Sequence, residues 1–154
     1  MKTLTFKPRS IFSSHWRVIG LGEFADIWIK PMREEGTIVL GGTEYEVDKH
    51  GVTSGYWAVR IGDEFFVDAQ KVSAFKRTFE IGTPEIDLVI KAQSTFRRAY
   101  EMEQNGLLVG TIKPRHAFSR KAVLTCEDHI PELVQLTCFW FAALMWRRQA
   151  RNSS

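Results

Sequence analysis

The chain has 154 residues, 44% hydrophobic and 25% charged, and its 21 Lys and Arg outnumber 18 Asp and Glu to give a formal net charge of +3. This excludes a disordered, collagenous or disulfide-stapled chain, because one domain of this length buries enough surface without staples and two cysteines, Cys126 and Cys138, make no framework. The stretch from Met1 to Arg9 lacks the apolar run of a secretory signal, so a cytoplasmic protein with a single domain over residues 1–154 is expected.

Runs of β-branched and aromatic residues between Gly, Asn, Asp and Pro predict strands at 3–7, 14–20, 23–30, 37–40, 43–48, 56–60, 64–69, 76–81, 85–92, 97–103, 107–113 and 120–126. Asn105-Gly106 is the clearest hairpin turn, since both residues tolerate positive φ; Gly41-Gly42, Gly62-Asp63 and Gly82-Thr83-Pro84 are weaker versions. A single helix follows at 131–148, with Pro131 in its first turn and Arg147 and Arg148 in its last, where cations meet the negative end of the dipole. Its apolar residues occupy every face, so something apolar must surround it. The uncharged run from Leu133 to Trp146 is 14 residues and includes Gln135 and Thr137, whereas a bilayer span needs about 20. Protein core is therefore the expected environment, with a tail anchor as the alternative. Twelve antiparallel strands close into a barrel without edges, and a wide barrel needs filling. The expected fold is mainly β: a closed antiparallel barrel of about twelve strands, spanning 3–126, around one central hydrophobic C-terminal helix.

A repeat underlies this spacing. The stretch from Ser73 to Ile81 matches Ser94 to Met102 and then His116 to Leu124, with Phe75, Phe96 and Phe118 at intervals of 21 and 22 residues and Arg77, Arg98 and Arg120 two positions after them. Ser10 to Val18 is a fourth copy without the arginine. A period near 21 residues is one β-hairpin plus its linker, which predicts six stacked hairpins.

The copies from Ser10 to Val18 and Ser73 to Ile81 resemble a group of uncharacterised bacterial proteins. So does the run Phe96-Arg97-Arg98-Ala99-Tyr100, Gly106, Gly110 to Pro114, Phe118-Ser119-Arg120, Pro131 and Trp146-Arg147-Arg148. That group is similar to the tubby C-terminal-like superfamily, which includes LURP-one-related proteins and phospholipid scramblases. The resemblance covers nearly the whole chain and implies a twelve-stranded barrel around a hydrophobic helix. It carries over no phosphoinositide-binding residue, because none can be matched. The calcium-binding stretch of scramblases is represented only by Glu127, Asp128 and Glu132.

If turns gather at one pole and linkers at the other, all Lys and Arg except Lys2, Arg17 and Arg60 fall at the linker pole. Glu23, Asp63, Glu64, Glu85, Asp87, Glu103, Glu127, Asp128 and Glu132 fall at the turn pole. Strand parity aims Arg77, Arg98 and Arg120 into the barrel mouth, where helix-end carbonyls await donors. The outward Lys76, Arg97, Arg115 and Lys121 are then the candidate anion-binding residues, for an anionic membrane surface or an acidic protein. Nucleic acid is set aside: a pI of 9.0 comes with no groove-reading motif.

No reaction is legible. Gly20-Leu21-Gly22 imitates a dinucleotide fingerprint, but the strand-like segment after it stops at Pro31 where a crossover helix should begin. His15, His50, His116 and His129 lack ligand-spaced partners, so no metal or cofactor is expected. Ser13, Ser14 and His15 are adjacent without nucleophile–base geometry, the cysteines read as buried thiols, and Glu101 and Glu103 read as a solvated strand face. The sequence thus favours a non-enzymatic binding or scaffold domain, with a small-molecule or catalytic barrel and a tail-anchored protein as alternatives.

Overall fold

The computed structural model describes residues 1–10, 13–51, 53–74, 76–94, 98–116 and 119–152. Phe12, Phe75, Phe96 and Phe118, which mark the repeat, and Arg97, one of the candidate anion-binding residues, lie outside them. Twelve strands form: β1 (Lys2–Pro8), β2 (His15–Ile19), β3 (Ala25–Ile29), β4 (Gly36–Leu40), β5 (Thr43–Lys49), β6 (Tyr56–Ile61), β7 (Glu64–Lys71), β8 (Thr78–Gly82), β9 (Asp87–Ala92), β10 (Tyr100–Gln104), β11 (Leu107–Pro114) and β12 (Ala122–Cys126). The helix α1 (Glu132–Asn152) follows.

Each strand pairs antiparallel with its sequence neighbours, and β1 pairs with β12 in the register Leu4↔Leu124, so the sheet closes. An even strand number makes this closure possible, since β1 and β12 then run in opposite directions. Asn105 and Gly106 hold the positive φ values of 54° and 79° that a tight primed hairpin turn demands. Strands expected from residues 76, 97 and 120 begin instead at Thr78, Tyr100 and Ala122. Arg77, Arg98 and Arg120 therefore belong to the linkers, and their donors work across those linkers.

The helix occupies the barrel interior. Every residue from Val134 to Trp146 is buried, which explains why its sequence is apolar on all faces. Phe139 lies with its ring centroid 3.7 Å from that of Phe6, and Phe141 lies 4.9 Å from Phe79 and 5.3 Å from Trp57. Its buried polar groups turn back on the chain: Thr137 donates to the Leu133 carbonyl at 2.7 Å and the Gln135 amide donates to that of Ile130 at 2.8 Å. The indole of Trp140 donates to the Trp28 carbonyl on β3 at 3.1 Å and that of Trp146 to the Arg98 carbonyl at 2.7 Å, tying the helix to the wall. Gly36 abuts the same Trp28 carbonyl so closely that a Cβ would lie 1.9 Å from it. Beyond the expected end at 148, one further turn runs to Asn152 with Ala150, Arg151 and Asn152 exposed.

Candidate functional site: the linker pole

The helix C-terminus emerges among the linkers, and cations meet carbonyls there in a repeating pattern. Arg77 donates to the Ser94 carbonyl at 2.7 Å, Arg98 to that of Ser119 at 3.0 Å, and Arg120 to those of Ser10, at 3.1 Å, and Ser13. Each arginine of the repeat thus fastens the linker of the next copy around the ring. These bonds run to linker carbonyls, whereas the sequence reading aims the same three arginines at the carbonyls of the helix end. Two of the three also lie over rings of the helix and core: the Arg98 guanidinium is 5.0 Å from the Trp146 ring and that of Arg120 is 5.8 Å from Trp16. Burial first, and then the charge of Arg120, holds the Arg98 guanidinium below its usual range.

Across the mouth, the β3–β4 linker grips the last helical turns. Arg147 donates to the carbonyls of Lys30, at 2.7 Å, and Arg33. Glu34 accepts from the Arg148 guanidinium, Nη2 at 2.5 Å, and from Lys49 Nζ at 2.9 Å, while its own carbonyl accepts the Trp57 indole at 2.8 Å. Lys49 and Arg148 also lie 5.1 and 5.9 Å from the Trp57 ring. Burial alone would raise the Glu34 carboxyl, but hydrogen bonds and charge from Arg148 and Lys49 outweigh it and hold the group at about 2. The expected partition of charge between the poles overlooked Glu34. It likewise overlooked Asp26, which binds Arg9 at 3.0 Å and also His15. No local pattern marks Glu34, because its partners come from β5 and the helix.

Beside this cluster lies a cleft of about 350 Å³ lined by Lys49, Thr53, Ser54, Gly55, Lys71, Ser73, Ala74 and Arg148. Three cations, Lys49, Lys71 and Arg148, are among its lining residues, and Glu34 is the carboxylate paired with Lys49 and Arg148. Lys71 donates to the Ser73 and Ala74 carbonyls at 2.8 and 3.1 Å. Burial, followed by the charges of Arg148 and Lys49, keeps its ammonium below the ordinary lysine range although Glu34 pulls the other way. An anion entering the cleft would relieve that repulsion.

The residues proposed from sequence sit elsewhere on the same pole. Lys76 and Arg115 are exposed and Lys121 is half-buried. The Arg115 backbone N–H donates to the Lys121 carbonyl at 2.7 Å, which brings those two together on the β11–β12 linker, whereas Lys76 stands on the β7–β8 linker. None of the three forms an ion pair with a described residue. Cys126 and Cys138 are buried, and burial pushes the Cys126 thiol up to about 11 and the Cys138 thiol higher still. Among the described residues, no group of three or more His, Cys, Asp or Glu is placed to hold a metal ion, and no helix is long and apolar enough to cross a membrane. Compared with known proteins, the chain matches no family model, no curated protein and no solved structure.

Proposed function

We propose that this protein is a non-enzymatic, tubby-like binding domain that presents its linker pole to an anionic surface, acting in the cytoplasm at the periphery of a membrane. The observation that carries the reading is the cleft beside the helix end, where Lys49 and Arg148 pair with the one carboxylate of Glu34 and Lys71 adds a third cation to the lining. Exposed Lys76 and Arg115 extend the positive surface along the rim. Each such cation contributes about 1 kcal/mol near an anionic bilayer, so several acting together make a salt-sensitive attachment. The closed barrel with its buried helix supports the tubby-like part of the proposal.

The test is flotation with phosphatidylcholine vesicles, with and without phosphatidylserine, across a salt series. Wild-type protein is expected to float only with phosphatidylserine and to be released by salt. The variant Lys71→Glu, Lys76→Glu, Arg115→Glu, Lys121→Glu is expected to stay folded and at the bottom of the gradient. Equal flotation with both vesicles, or none with either, overturns the reading; in the second case an acidic protein becomes the partner to seek.

A further inference from the structure

The outer face of β7 to β10 carries charge of the opposite sign, and the strand register explains how it gathers. One cross-strand row runs Asp68↔Gly82↔Asp87, and the next runs Gln70↔Glu80↔Val89↔Glu103. In each row a short residue, Gly82 or Val89, lies between longer acidic or polar side chains, so the face sinks into a groove of about 640 Å³. A second hollow of about 330 Å³ shares Tyr56, Asp68, Gly82 and Asp87 with it and ends on Phe65 and Pro84.

Gly82 has no positive φ to require glycine; its role here is space. A Cβ at that position would lie 3.0 Å from Asp68 Oδ1 and 3.2 Å from Asp87 Oδ1, so two carboxylates converge over one bare stretch of backbone. Glu103 has its cation, with Lys91 Nζ at 2.6 Å. Asp68, Glu80 and Asp87 are exposed and form no ion pair with any described residue. Like charges gathered on one sheet face destabilise the sheet, and here the barrel frame holds them together without a counter-charge. The apolar end, where Phe65 is 56% exposed, would suit the next side chain of a partner lying along the groove.

We infer that this groove is a docking surface for an extended, arginine- or lysine-bearing segment of a partner protein, with a cationic side chain seated between Asp68 and Asp87 over Gly82. The match is one of charge and placement: a guanidinium fork reaches two carboxylates at once, and the groove shares lining residues with the hollow that ends on Phe65 and Pro84. This surface does not depend on the cations of the linker pole.

The test is fluorescence anisotropy with a fluorescein-labelled tetra-arginine peptide and a tetra-glutamate control, together with sedimentation velocity of the protein alone. The arginine peptide is expected to bind with salt sensitivity and the control not to bind. Asp68→Asn with Asp87→Asn should weaken binding about tenfold or more while leaving thermal stability unchanged or slightly raised. Lys71→Glu should leave peptide binding intact, which separates this inference from the linker-pole reading. Absence of binding, or equal binding to the doubly substituted protein, overturns it. So does salt-sensitive self-association abolished by Asp87→Asn, which would make a second copy the occupant.

Discussion

The linker pole and the β7–β10 flank are both densely charged, yet their charges are employed differently. At the linker pole Arg77, Arg98, Arg120 and Arg147 donate to backbone carbonyls of the linkers, and Arg148 and Lys49 converge on Glu34. On the flank Asp68, Glu80 and Asp87 face solvent with no cation among the described residues. Much of the positive charge therefore holds loops and helix together, while the negative charge of the flank is left to meet something else. A count of charges by region does not distinguish these cases; the geometry of their partners does.

The most severe test of the linker pole as a fastening device lies beneath it. Trp140 is fully buried, and its indole ties the helix to β3. Trp140→Asp places an unpaired charge there, and the cooperative thermal transition followed by circular dichroism should disappear. A normal transition in that variant would mean that the barrel stands without its helix.

Acid comes next in size. Because Glu34 titrates at about 2 in the folded protein and near 4.5 when free, its contribution is complete above pH 4.5 and is lost as pH falls toward 2. The lost stability is of order 3 kcal/mol. Urea unfolding at a series of pH values should show this loss in the wild type and a flatter profile in Glu34→Gln. Identical profiles would remove Glu34 from the fastening set.

The smallest effects sharpen the contrast within the pole itself. Arg120→Ala breaks bonds to two linker carbonyls and should cost about 1–3 kcal/mol in chemical denaturation, whereas Lys76→Ala on the open rim should stay within about 0.5 kcal/mol. Equal losses would erase the distinction between fastened and unspent cations.

The barrel was legible because alternation, turn residues and the 21-residue repeat all agree, and the enclosed helix was legible because no face of it is polar. The strand starts at Thr78, Tyr100 and Ala122 slipped because alternation continues through Arg77, Arg98 and Arg120 even though their side chains reach across the linkers. Glu34 escaped notice since its partners are Lys49 and Arg148, far away in sequence. Glu103 was rightly placed on an outer face, but alternation along one strand says nothing about neighbours on the next. The convergence of Asp68 and Asp87 over Gly82 emerges only from register.

Closure of the ring also bears on the order in which the chain can assemble. β1 receives its second neighbour from β12, and Arg120 reaches back 110 residues to the Ser10 carbonyl. Long-range contacts of this kind are entropically late, since the intervening chain must be drawn together before they give any return. During synthesis the first hairpin therefore waits with one open edge while five more are made, and the greasy helix that fills the interior leaves the ribosome only after all twelve strands. Nascent chains should depend on a holding chaperone until the helix emerges, and a release experiment with chains stalled before residue 131 would find them aggregation-prone.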